Sequence, residues 1–363
     1  MRTTEQAVAQ WVRPEIRQIQ AYHVQDAQGM IKLDAMENPY AWTPEMQGGW
    51  IERMRTLSFN RYPDPSAQAL REKLRDNLGL DSSQSLVFGN GSDELIQLLM
   101  LALATPQRVV MAPTPTFVMY EMIARFVGMQ FVGVPLQDDF CLDEVAMLAA
   151  IAQHQPALIF LAYPNNPTGN AFRRDQIERI IQASAGLVVV DEAYHAFAED
   201  SFMADIARYP NLVVMRTFSK QGLAGFRLGY MVGNKAWMNE FDKVRLPYNI
   251  NVLTQAGVLY ALEHEAVLLA QAELVKQERA ALIAQLQALP IQVYPTQANF
   301  ITLRVPTGQA DRIFQGLKAD NILIKNLSPN GGRLADCLRV TVGTPSENQA
   351  FLQCFSQHLL ATE

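Results

Sequence analysis

Charged side chains are scarce in this chain of 363 residues. Asp, Glu, Lys and Arg make up 18%, and 30 cations against 36 anions leave a net charge of −6. No basic tract stands out. Nucleic-acid affinity rests largely on cations that displace counterions from phosphates, so a nucleic-acid partner is not expected. Long apolar runs are missing too. The richest stretches, around 94–103 and 187–190, are interrupted or bounded by charges and fall short of the ~20 residues that span a bilayer, so no membrane partner is expected either. The chain starts Met1, Arg2, then Thr, Glu and Gln, with no apolar signal core, and the expected location is the cytoplasm. Three cysteines (Cys141, Cys337, Cys354) without CxxC spacing argue against a disulfide framework or a zinc site. The five histidines show no HxxxH or HExxH spacing, so no metal is expected.

What is present is apolar material, 49% of the chain, enough for a large core and about two domains at ~150 residues each. Residues 1–36 form a polar, Gln-rich lead-in, weakly helical over 4–19 and interrupted by Pro14. From 69 to 235, short β-rich runs (86–88, 108–112, 157–162, 187–190, 212–215, 227–232) alternate with helical stretches at 69–77, 93–104 and 174–183. That alternation predicts an α/β fold, a mostly parallel sheet covered by helices on both faces. Helical spacing over 257–289, with Pro290 as its stop, predicts one long connecting helix. A smaller α+β unit should follow, with strands at 299–304 and 338–342 and helices at 309–319 and 346–360.

In such sheets ligands bind at the carboxyl ends of strands, so the residues just after each strand matter most. Gly89-Asn90-Gly91-Ser92-Asp93 lies between a strand and a helix, where free N–H groups and the helix dipole make an anion cradle. An ordinary glycine turn capped by Ser92 or Asp93 is the equal alternative. A nicotinamide site is disfavoured: Glu94 stands where a third glycine belongs, and the next strand ends in Ala112-Pro113-Thr114-Pro115 without an acid. Pro164-Asn165-Asn166-Pro167 is a stiff turn that holds Asn166 at a strand end. Val188-Val189-Val190 runs into Asp191-Glu192-Ala193-Tyr194, and a carboxylate at the end of a buried strand needs a cationic or hydrogen-bonding partner. Lys220 follows another apolar strand among small and apolar residues, flanked by Ser219 and Arg227. Desolvation there favours the neutral amine, a nucleophile toward aldehydes. Taken singly, a lysine is most often a solvated surface charge. An amine, a phosphate cradle, an aspartate, a tyrosine and an asparagine at strand ends together make up the inventory of a pyridoxal-phosphate site.

These residues also match a known family. The chain resembles the fold-type-I pyridoxal-phosphate aminotransferases, and among them the histidinol-phosphate aminotransferases of class II. The likeness runs from Glu37-Asn38-Pro39-Tyr40 through Arg61-Tyr62-Pro63-Asp64-Pro65, Gly91-Ser92-Asp93-Glu94-Leu95 and the Lys220 loop to Arg339-Val340-Thr341-Val342-Gly343. It implies an N-terminal arm (1–36), a large cofactor-binding domain (37–256) and a small C-terminal domain (257–363) carrying the connecting helix. It also implies a homodimer with active sites at the subunit interface. By the same resemblance Lys220 would hold pyridoxal 5'-phosphate as a Schiff base and later shuttle the substrate proton. Asp191 would pair with the pyridinium nitrogen, and Tyr194 and Asn166 with the phenolic oxygen. Phe117 would stack on the ring, where many relatives carry Tyr. Ser92, Asp93, Ser219 and Arg227 would bind the phosphate with Tyr62 of the other subunit. Tyr22, Asn38, Lys325 and Arg339 would take the substrate, with Arg339 forking onto its carboxylate; relatives often have Arg in place of Lys325. The implied reaction interconverts L-histidinol phosphate and 2-oxoglutarate with imidazole-acetol phosphate and L-glutamate. Aromatic amino-acid transamination is the alternative on this scaffold, with phosphothreonine decarboxylation behind it. A cofactor-binding regulator is disfavoured because no basic helix-turn-helix is present.

Overall fold

Every residue of Leu187–Asp191 is buried, and the side chains alternate between two separate cores: Leu187 and Val189 in one, Val188 and Val190 in the other. A strand with period-two side chains shows this pattern only when both of its faces are covered. A computed structural model describes residues 2–21 and 24–361 and gives the whole sheet this character. After the short β1 (Ile31–Lys32) come β2 (Gln84–Gly89), β3 (Val109–Thr114), β4 (Gln130–Pro135), β5 (Leu158–Ala162), β6 (Leu187–Asp191), β7 (Leu212–Thr217) and β8 (Gly229–Asn234). The last seven pair in the order β2-β8-β7-β6-β5-β3-β4. β4, β3, β5, β6 and β7 are mutually parallel, while β8 is antiparallel to both β7 and β2. Helices Gln68–Leu78, Glu144–His154 and Arg174–Ala183 contribute to the core on one face; Ser92–Leu103, Met119–Val127 and Lys235–Asp242 contribute to the other. The expected α/β architecture is present.

A third core belongs to the C-terminal part. There β9 (Gln292–Val293), β10 (Phe300–Arg304), β12 (Lys325–Asn326) and β13 (Cys337–Thr341) form an antiparallel sheet in the order β12-β13-β10-β9. β11 (Ile322–Leu323) pairs in parallel with β1, so the end of the N-terminal arm is stitched into this part of the molecule. Leu33 and Met36 join its core together with Tyr194 and Phe197, which come from the end of β6.

Two elements depart from the sequence reading. The single helix expected over 257–289 is two helices, Val252–Glu263 and Glu265–Leu286. His264 breaks them at φ −114° and ψ 27°, its N–H turning to the Ala261 carbonyl and its ring nitrogen lying 3.0 Å from the Tyr260 carbonyl. No glycine or proline marks the break, so periodicity alone runs through it. The edge strand β4 went unread because its side chains are mostly exposed or half-buried and lack a clean alternation.

The carboxyl end of β2 and the amino end of β8 touch backbone to backbone. A Cβ on Gly229 would lie 2.8–3.0 Å from the carbonyl group of Gly91 and the nitrogen of Ser92. Overpacking a site that cannot yield costs about 1–3 kcal/mol. Gly229→Ala is therefore expected to lower unfolding stability in urea by about that amount, and to weaken whatever the Gly91–Ser92 turn holds. Equilibrium unfolding checks this, and an unchanged midpoint would show that the turn yields freely.

Candidate active site

Reversing β8 has a chemical consequence. The carboxyl ends of β2, β3, β5, β6 and β7 and the amino end of β8 all reach one edge of the sheet, so residues from six strand termini meet there. They line one cavity: Ser92 and Asp93 after β2, Phe117 after β3, Asn166 after β5, Asp191 and Tyr194 at and after β6, Ser219 and Lys220 after β7, and Arg227 before β8. Tyr120, Met36 and Thr217 complete the wall.

Period-two alternation places Asp191 on the same face as Leu187 and Val189, beneath the helix Met119–Val127. Tyr120 of that helix donates its hydroxyl to Asp191 Oδ2 at 2.7 Å, and the Ala193 N–H donates to Oδ1 at 3.1 Å. No cation pairs with this carboxyl among the described residues, and burial pushes its pKa up to about 6. The next residue, Glu192, faces the other way and is matched: Arg216 pairs with it at 2.8 Å, while Ser201 and the Phe202 N–H donate to it. One acid of the pair is neutralised by the protein and the other is left facing the cavity.

Lys220 donates from Nζ to the Ala35 carbonyl at 3.1 Å, with the Tyr194 ring centroid 5.9 Å away. Burial, reinforced by the Arg339 charge, lowers its pKa to about 8, so the neutral amine is accessible near neutral pH. Burial raises the Tyr194 phenol, which stays a hydrogen-bond donor. Asn166 is presented by a loop that Asn165 ties down, through its Nδ2 to Pro115 O and Thr168 Oγ1 and its Oδ1 from Thr116. The Asn166 carbonyl oxygen accepts from the Arg339 guanidinium.

At the other end, the helix Ser92–Leu103 begins at Gly91 with φ +83° and no side-chain cap, leaving its first N–H groups for an anion. A Cβ on Gly91 would stand 2.6 Å from Arg227 Nη2, so the bare glycine makes room for the guanidinium. Arg227 adopts φ +53°, an unfavourable left-handed backbone that directs it to Ser219 Oγ at 3.5 Å and Asp93 at 3.8 Å.

This donor set fits pyridoxal phosphate. The ring nitrogen has an unpaired carboxylate, the phosphate has an uncapped helix start with a serine and an arginine, and the aldehyde has a desolvated amine. The remaining expected residues lie elsewhere. Lys325 and Arg339, opposite each other in the β12–β13 ladder, line an adjoining cavity that shares Met36 with the first. Asn38 lines neither cavity; its amide donates to Gln271 at 3.1 Å and its oxygen accepts from the Tyr40 N–H, pinning the turn. Tyr62 is 80% exposed, stacked on Tyr248 away from the cavity. Tyr22 lies outside the described residues. Sequence reasoning missed Tyr120, although helical spacing from Phe117 offered a signal. It also missed the Ala35 carbonyl and the Gln221–His195 contact at 2.8 Å beside Lys220, which pair residues far apart in the chain.

The Asp191 reading has a stability signature. The folded state holds this proton more tightly than an ordinary carboxyl, so stability falls as pH rises from about 4 to 6 and the full penalty, on the order of 3 kcal/mol, persists above. Cofactor-free Asp191→Asn should therefore resist urea better than the parent at pH 7, with the advantage shrinking toward pH 4. Urea melts at the two pH values check this, and a variant less stable at pH 7 would refute it.

The pattern of aminotransferases of class I and II matches residues 28–355. Histidinol-phosphate aminotransferase 2 of Nitrosococcus oceani is 56% identical over 351 residues, 96% of this chain and 98% of its own. Among solved structures, histidinol-phosphate aminotransferase from Sinorhizobium meliloti in complex with pyridoxal-5'-phosphate superposes with a TM-score of 0.85 at 22% identity, covering 96% of this chain and 97% of that one. L-threonine-O-3-phosphate decarboxylase from Porphyromonas gingivalis reaches 0.77 at 24% identity, over 92% and 100%. At such identities the structures share the fold alone; one fold serves both a transaminase and a decarboxylase.

Proposed function

The chain belongs to the class I and II aminotransferases, and from that premise we propose that it is a pyridoxal-phosphate enzyme moving the amino group between L-histidinol phosphate and 2-oxoglutarate. The products are imidazole-acetol phosphate and L-glutamate. The observation that carries the choice is the near-full-length 56% identity to a histidinol-phosphate aminotransferase, because the fold by itself does not separate this activity from decarboxylation.

Pyridoxal phosphate supplies an aldehyde that receives the amino group and a ring that spreads negative charge left on the substrate carbon. The chain's own residues do the rest. Lys220 holds the cofactor through its amine and, once freed, accepts and returns the proton of the substrate carbon. Asp191 keeps the ring nitrogen protonated, which maintains its capacity to take up charge. Tyr194 and Asn166 donate to the phenolic oxygen. Ser92, Asp93, Ser219 and Arg227 anchor the phosphate end, and Phe117 covers the ring. Arg339 and Lys325 receive the anionic end of either substrate, a phosphate ester in one and a carboxylate in the other.

The finer assembly belongs to the same proposal: a cytoplasmic homodimer in which Tyr62 completes the phosphate site of the second subunit. Its 80% exposure, with Phe59 exposed nearby in sequence and Leu246 exposed two residues before its stacking partner Tyr248, supports a role outside its own cavity. In the division into an arm (1–36), a large domain (37–256) and a small domain (257–363), the small domain draws support from the C-terminal core, into which Leu33 and Met36 of the arm and Tyr194 and Phe197 of the large domain also pack.

A half-reaction on purified holoenzyme tests the function. L-Histidinol phosphate and L-glutamate, added separately, should each convert the cofactor to its amine form, followed by absorbance, and L-phenylalanine should do so more slowly. Conversion by phenylalanine and glutamate but not histidinol phosphate would transfer the protein to the aromatic class. Lys220→Ala should fold and fail to turn over. The dimer is tested by mixing: inactive Lys220→Ala and a weakened Tyr62→Ala should, after subunit exchange, recover part of the activity through the one intact site of each heterodimer. A mixture no more active than its parts would remove Tyr62 from the shared site.

A further inference from the structure

The second cavity joins opposite chemistries. Lys318, Lys325 and Arg339 bring positive charge to its wall; Asp26, exposed and accepting from the Gln28 N–H, and the half-buried Asp34 bring carboxyls. Lysines and arginine suit the phosphate ester of one substrate and the carboxylate of the other. They leave Asp34 without an evident task, since a carboxylate repels both anions.

Asp34 is held in place by its backbone. On the segment 33–36 each carbonyl has a partner: Leu33 O accepts from the Thr341 N–H, Asp34 O from Arg339 Nη2 at 2.9 Å, Ala35 O from Lys220, and Met36 O from Asn299 Nδ2 at 3.0 Å. The Met36 N–H donates to Thr341 Oγ1. The segment forms the wall between the two cavities, with Met36 lining both. The side chain of Asp34 is treated differently. Its Oδ1 is closed to solvent and accepts no hydrogen bond among the described residues, and Gln25 Oε1, on the same cavity wall, is also left without a donor. Burial raises the Asp34 carboxyl above its ordinary range, against the pull of Lys32 and Arg339. A buried acceptor without a donor is costly, and the torsion that turns an Asp carboxyl is soft, so either oxygen can meet a donor brought into the cavity.

The two amino donors differ in one relevant respect. Histidinol phosphate carries an imidazole ring with an N–H; the side chain of glutamate has no donor, and neither does that of phenylalanine. We propose that Asp34 is a specificity-determining residue that accepts the ring N–H of an imidazole-bearing substrate, while Lys325 and Arg339 serve the anionic group that both substrates share. The inference rests on the function proposed above and deepens it: cations permit both substrates, and Asp34 favours the imidazole one over aromatic competitors.

The experiment measures kcat/KM in half-reactions of holo Asp34→Ala and Asp34→Asn with L-histidinol phosphate, L-glutamate and L-phenylalanine. A hydrogen bond to a charged group is worth enough to shift a rate ratio by about 10- to 100-fold. The expected result for Asp34→Ala is a fall of about that size in the ratio for histidinol phosphate over glutamate, with a smaller fall for Asp34→Asn, whose amide oxygen still accepts but carries no charge, and with the phenylalanine-to-glutamate ratio held or raised in both. Asp34→Asn keeps the shape of the side chain and guards against a misfolded Ala variant. Equal losses on all three substrates would mean that Asp34 only supports the Ala35 carbonyl under Lys220, and an unaltered ratio would mean that the ring binds elsewhere. Either result overturns the proposal. A wild-type enzyme active on glutamate and phenylalanine but inactive on histidinol phosphate would instead overturn the function, and this inference with it.

Discussion

A carboxylate buried without a cation at the end of a central strand is the constraint around which this molecule is arranged. Such a group is expensive unless something outside the chain completes it. The contrast with its neighbour shows how deliberate the arrangement is. Period two sends Glu192 to the opposite face, where Arg216, Ser201 and the Phe202 N–H satisfy it. Among the described residues Asp191 receives only a phenol and one backbone N–H. On the proposed function a protonated ring nitrogen would supply the missing charge, and the cofactor would relieve a cost that the folded chain holds.

The other half of the site depends on the same topology. Parallel strands deliver their carboxyl ends to one edge, and the reversal of β8 adds an amino end that carries Arg227. The Lys220 amine is buried at that edge, which lowers its pKa to about 8 and makes the neutral form accessible near neutral pH. Its hydrogen bond runs to Ala35, on a segment whose neighbours are built into the C-terminal core. The Lys220 amine therefore touches both parts of the molecule. The two cavities share that segment as a wall.

Fold and substrate choice are determined at different levels. The scaffold that superposes on this chain also serves a phosphothreonine decarboxylase, and nothing in the sheet distinguishes the two reactions. The proposed discrimination rests on a few side chains around the second cavity, where Lys325 and Arg339 sit side by side on adjacent strands and Asp34 opposes them in charge. Small changes in such a set alter specificity without disturbing the core.

Much of this was legible in the sequence, and the reason is locality. Runs such as Val188-Val189-Val190 set strand positions by composition, and a residue that follows a buried strand must emerge at the sheet edge; Asp191, Tyr194, Asn166, Ser219 and Lys220 were found by that rule alone. The resemblance then supplied their implied roles and added Phe117, Tyr62, Arg339 and the rest. Three-dimensional pairing decided what the sequence does not encode locally. The hydroxyl of Tyr120 on Asp191, the Ala35 carbonyl under Lys220 and the Arg339 contact with Asn166 join residues separated by 71, 185 and 173 positions. The break at His264 follows from a local turn that periodicity does not register, and Asn38 turned out to fasten a loop. Period, burial and strand-end position are written residue by residue along the chain. Which acid finds a cation, which carbonyl meets the amine and which carboxyl is left waiting for a donor depend on how distant segments close on one another, and folding alone settles that.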